Sequence, residues 1–91
     1  MTHYILFYKT AENYIEKRAP YRDAHLQLAQ EAHKRGNLIL AGAFSEPADG
    51  AALIFKSESR AKEFAENDPY VQNGLIKSWQ IRRWEVVIGG E

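Results

Sequence analysis

Leu38-Ile39-Leu40-Ala41-Gly42-Ala43-Phe44, then Ser45-Glu46-Pro47-Ala48-Asp49-Gly50, then Ala51-Ala52-Leu53-Ile54-Phe55 is the stretch on which the fold turns. Two apolar runs of strand length flank a polar segment, and Asp49-Gly50 at its end marks the turn. Strands two and three are therefore consecutive, with no helix between them. Upstream, the β-branched and aromatic run His3-Tyr4-Ile5-Leu6-Phe7-Tyr8 reads as strand one, ended by the polar segment Lys9 to Asn13. A short helical turn spans Tyr14 to Arg18. Pro20 then suits the first turn of a longer helix whose apolar face is Tyr21, His25, Leu28 and Ala32, at spacings of four, three and four. That helix stops at Lys34-Arg35-Gly36, cations against the dipole followed by a glycine able to take φ > 0.

Downstream of Phe55, Ser57 can cap a helix of about ten residues, the length set by the breaker at Asn67-Asp68-Pro69-Tyr70, with Ala61, Phe64 and Ala65 as its apolar positions. Asp68 can cap a second short turn closed by Gly74. The last strand reads from Leu75 to Ile88, Trp79 and Ile81 on one face and Trp84, Val86 and Ile88 on the other; the change of face predicts a bulge or burial on both sides. The order β-α-β-β-α-β is the ferredoxin-like split βαβ pattern of the α+β class, a four-stranded antiparallel sheet with both helices on one face. Residues 1–91 read as one domain. Strands one to three are apolar at nearly every position, and Tyr4, Leu6, Leu40, Leu53 and Trp79 exceed what two helices can cover. The expectation is a homodimer in which two bare sheet faces pack together.

Twelve Lys and Arg balance twelve Asp and Glu in 91 residues, so the formal charge is zero. A neutral chain has no long-range field with which to collect polyanions, which argues against nucleic acid or an anionic membrane as partner. Apolar residues at 45% and charged residues at 26% suit a packed core under a water-facing surface. With no cysteine, disulfides, thiolate nucleophiles and Cys-based metal sites are excluded. The N-terminus lacks the pattern of a secretory leader, and the expected location is the cytoplasm.

Two residues carry the candidate chemistry. His25 lies on the apolar stripe of its helix, where it is either a hydrogen-bonded core histidine or a general base. Asp68 precedes proline, so it is either a helix cap alone or a cap that also serves a site. His3, His25 and His33 have no partner at i+4, so no metal is expected. No glycine-rich loop leads into a helix, so no nucleotide cofactor is expected either. Arg82-Arg83 beside Trp84 read as solvated strand positions, because strand three lacks the aromatic pattern of RNA-binding domains of this strand order.

Arg22-Asp23-Ala24-His25-Leu26, then Gly36-Asn37-Leu38 leading to Ala41-Gly42, and finally Asp68-Pro69-Tyr70-Val71 followed by Gly74 resemble the YciI-like (YCII-related) family over essentially the whole chain. The resemblance implies a dimeric α/β barrel of ferredoxin-like protomers with His25 and Asp68 converging on a pocket as a catalytic pair. It also implies chemistry without a cofactor, as in elimination of hydrogen chloride from a chlorinated hydroxyquinol. Three readings follow: a small lyase or isomerase using proton transfer by His25 and Asp68, a non-catalytic dimer that binds a small molecule, and a cofactor-free monooxygenase by analogy of fold.

Overall fold

β1 (Thr2–Thr10) is an inner strand of the sheet, and its side chains divide the molecule. Leu6 and Tyr8 turn to one face and are buried, while Ile5 and Phe7 turn to the other and are only half-covered. The structure, a computed structural model, describes residues 1–89. Gly90 and Glu91, the end of the expected 1–91 domain, lie outside the described residues. After β1 come α1 (Tyr14–Lys17), α2 (Ala19–Lys34), β2 (Leu38–Ala43), β3 (Gly50–Phe55), α3 (Glu58–Asn67), α4 (Pro69–Gln72) and β4 (Ile76–Glu85). The sheet order is β2-β3-β1-β4 and every neighbouring pair is antiparallel. This is the expected mixed α+β arrangement, a split βαβ sheet under helices.

The core lies between the sheet and α3. Leu6 stands opposite Leu53, and Tyr4 opposite Phe55, so β1 and β3 offer one continuous apolar surface. Ala61, Phe64 and Ala65 come down on it at helical spacing, with the Phe55 and Phe64 ring centroids 5.4 Å apart. Ser57 caps α3 as expected, its hydroxyl accepting from the Arg60 N–H at 3.2 Å. Gly36, at φ +81°, ends α2 in the left-handed region that the sequence reserved for glycine.

Several expectations need correction. The apolar excess is split by the pleat: Leu6 and Leu53 are covered by the helices of their own chain, Trp79 packs half-buried against the core, and Leu40 is left 64% exposed on the opposite face. β1 continues through Lys9 and Thr10, because backbone pairing with β3 and β4 outlasts the apolar run. β4 ends at Glu85 rather than Ile88; its pairing with the N-terminal strand closes where the Val86 N–H donates to the Met1 carbonyl oxygen at 2.8 Å, and Val87 and Ile88 are exposed. The β1–β4 register runs unbroken from Thr2↔Glu85 to Lys9↔Ser78, and the irregularity falls at Lys9/Thr10 instead of near Trp84. Gly50 belongs to β3 and not to the turn. A Cβ there would collide with the Tyr8 carbonyl oxygen, so glycine is needed for close approach of two backbones.

α2 sits differently from α3. None of its residues is fully buried, although Tyr21, Leu28, Ala29 and Ala32 rest on the core's edge. Beneath its N-terminal half the sheet presents Ala41, Gly42, Ala43 and Ala51, side chains too short to fill the gap, and a cavity results.

Candidate active site

The cavity has a volume of about 180 Å³. An engineered cavity of about 150 Å³ accommodates benzene, so this one suits a single substituted ring. Its floor is small aliphatic, and its polar wall comes from β1, α1, the α1–α2 junction at Arg18, α2 and α4: Tyr8, Thr10, Tyr14, Arg18, Arg22, His25 and Tyr70.

Behind that wall lies Asp68, which is 0% exposed. The Asp-Pro pair places it at the N-cap of α4, where its Oδ1 accepts from the Tyr70 N–H at 3.0 Å. The same carboxylate accepts a 2.7 Å bond from the Tyr8 hydroxyl at Oδ2, and His25 Nδ1 lies 2.8 and 3.0 Å from its two oxygens. The two sequence readings of Asp68 therefore hold together: it caps a helix and it binds His25. The residues are 43 positions apart and are joined by the packing of α2 against α4.

Facing a carboxylate, which can only accept, Nδ1 of His25 is the donor. In the neutral ring, Nε2 then carries the lone pair. Among the described residues Nε2 has no hydrogen-bond partner, and the His25 side chain is 16% exposed where it lines the cavity. The imidazole is held from both sides. Tyr70 stacks on it with centroids 3.9 Å apart and planes 6° from parallel, and Phe64 meets it edge-on at 6.4 Å.

Tyr8 is kept as a proton donor. Burial first, then the charge of Asp68 and the bond to it, push its pKa far above the ordinary tyrosine value. Burial likewise raises Tyr70, with Tyr14 adding to the shift and Arg18 and Arg22 opposing it.

Sequence reasoning found His25 and Asp68 but missed the rest of this wall. Tyr8 was readable as core, and the available signal was that a buried phenol must find a partner for its hydroxyl. His33 is structural, its Nδ1 lying 2.9 Å from the Leu38 carbonyl oxygen that ties α2 to β2. Among the described residues no group of three His, Cys, Asp or Glu side chains is arranged to hold a metal ion. No helix among them is long and apolar enough to cross a membrane.

Comparison with known proteins gives a consistent picture. The sequence model of the YCII-related domain matches residues 1–85. Protein YciI of Escherichia coli O6:H1 is 28% identical over 95 aligned positions, covering 92% of this chain and 97% of the relative; protein YciI of Shigella flexneri matches to the same extent. Among solved structures, 5-chloro-2-hydroxyhydroquinone dehydrochlorinase from Burkholderia phenoliruptrix AC1100, in complex with 2,5-dihydroxybenzoquinone, is similar with a TM-score of 0.75. It shares 20% identity, and the match covers 91% of this chain and 93% of that one, a likeness of fold.

Proposed function

The chain belongs to the YCII-related domain family, and from its buried carboxylate behind a cavity-facing imidazole we propose a cofactor-independent lyase that moves protons on a small aromatic, quinol-like molecule. His25 is the general base and acid at Nε2, Asp68 orients the ring and balances its charge, and Tyr8 holds Asp68 in place. One observation carries this reading. A fully buried Asp68 spends its oxygens on Tyr8, Tyr70 and His25, which leaves Nε2 as the site's free proton acceptor. A histidine kept only for packing needs no such assembly.

The similarity to a dehydrochlorinase supports elimination of hydrogen chloride as the reaction class. In that chemistry Nε2 removes a proton from a ring hydroxyl, and a proton is delivered to the chlorine-bearing carbon to give a keto tautomer. Loss of chloride with a second hydroxyl proton then leaves a quinone. The sum is departure of HCl, so no electron acceptor is required. The unit that works is a homodimer in the cytoplasm, its two open sheet faces packed as an α/β barrel; exposed Leu40, Phe44 and Trp84 support that assembly.

The test is chloride release from a chlorinated hydroxyquinol, with product mass followed in parallel. The wild-type chain should release chloride, and His25→Gln should be slower by about 10²–10⁴-fold with its fold retained. A ligand bound but unchanged in mass would replace the lyase with a small-molecule-binding dimer, and chloride release at equal rates in both proteins would remove His25 as its base.

A further inference from the structure

Arg18 and Arg22 are not used by the reaction just described, yet both line the cavity. With His25 they lie at spacings of four and three, which brings all three to one stripe of the α2 end. Neither arginine has a carboxylate within ion-pairing distance among the described residues; the ion pairs there are His25–Asp68, Arg60–Glu63 and Arg83–Glu85. Among the described residues no acidic side chain lines the cavity, and Asp68, buried behind it, is already committed. Arg18 is also held in place, its guanidinium carbon 5.6 Å from the centre of the Tyr14 ring. Tyr14 in turn meets Tyr70 edge-on at 5.7 Å, and Tyr70 stacks on His25, so the cation is positioned relative to the imidazole through aromatic contacts.

Two guanidinium groups on the wall of a largely aliphatic, one-ring cavity constitute a recognition element for negative charge. We propose that the ligand is a single-ring anion whose carboxylate or acidic ring oxygens are held by Arg18 and Arg22 while its carbon frame rests on Ala41, Ala43 and Ala51. This deepens the lyase reading and rests on it only for which ring atom faces His25. A planar guanidinium suits paired oxygens, and a charge-assisted bond of this kind exceeds what a neutral substituent can gain.

Two matched pairs of probes test the idea by NMR titration or calorimetry: 2,5-dihydroxybenzoate against 2,5-dihydroxybenzamide, and 2,5-dihydroxybenzoquinone, ionised at neutral pH, against benzene-1,4-diol. In at least one pair the anion should bind roughly ten-fold or more tightly, and which pair does so identifies the oxygen source. Arg18→Gln and Arg22→Gln should each erase most of that preference, Arg22→Lys should keep part of it, and neutral probes should bind within about two-fold of wild type. His25→Gln separates the two readings, because it should abolish turnover and leave the anion preference intact. Preference without His25-dependent turnover would end the lyase reading alone. No anion preference in either pair, no binding of any probe at millimolar concentration, or preference unchanged in both arginine variants would overturn this inference.

Discussion

Tyr8 and Asp68 set what His25 can do. Removing the hydroxyl in Tyr8→Phe leaves a buried carboxylate oxygen short of a donor, and the expected cost is about 1.5–3 kcal/mol in urea melts. The raised Tyr8 pKa also has a pH signature. Above the ordinary value of 10.0 the unfolded chain releases this proton and the folded chain keeps it, so folded protein binds more protons and stability falls as pH rises. The slope reaches about 1.4 kcal/mol per pH unit for one proton. Urea melts through the alkaline range should show that decline, and Tyr8→Phe should flatten it. Asp68→Asn acts at the next atom. An amide NH₂ facing Nδ1 turns that nitrogen into an acceptor, moves the ring proton to Nε2 and so removes the base. Nitrogen-15 shifts of the imidazole should report an Nδ1–H ring in wild type and an Nε2–H ring in the variant. His25 and Asp68 were legible as candidates because RxxHL and the Asp-Pro step mark them locally; the Tyr8 bond to Asp68 was not, because nothing in strand one distinguishes a phenol packed on aliphatics from one bonded to a carboxylate.

At the scale of elements, local rules account for most boundaries. Ser57, Pro20, Gly36 and Gly74 each sit where a cap, a first turn or a helix end requires them, and Ser57→Ala should cost about 1 kcal/mol, measured as a shift in the denaturant midpoint. The ends of strands were less legible. A strand lasts as long as it has a partner, which is why β1 runs on into Lys9 and Thr10, and why the pairing of β4 closes at the Val86–Met1 bond and leaves Val87 and Ile88 outside it, against their own hydropathy. Gly50→Ala tests the corrected role of that glycine. Its methyl would collide with the Tyr8 backbone oxygen, so the variant should lose stability and disturb the Tyr8–Asp68 bond, seen as a reduced alkaline slope.

For the whole molecule the open sheet face matters most. Leu40 and Trp84, 64% and 42% exposed, lie on the side opposite the helices, paired through the ladder with Ile54 and His3. In the homodimer reading, sedimentation should give about twice the chain mass of 10.4 kDa at micromolar concentration. Leu40→Glu should yield a folded monomer with unchanged far-UV circular dichroism, because that side chain takes no part in the core under α3. A wild-type monomer would remove the barrel from the functional reading.

The order of elements, the caps and the two residues of the catalytic proposal were determined by the sequence itself, since each depends on neighbours within a few positions or on a motif. Three features were decided only by tertiary structure. The pleat assigned each apolar residue of strands one to three to a covered or an open face. The high seating of α2 over Ala41, Ala43 and Ala51 left a cavity where composition alone implies a filled core. And the meeting of Tyr8, His25 and Asp68 joins three elements across 60 positions. Such contacts depend on how whole surfaces pack, and no local pattern in the chain encodes which side chain will stand opposite another.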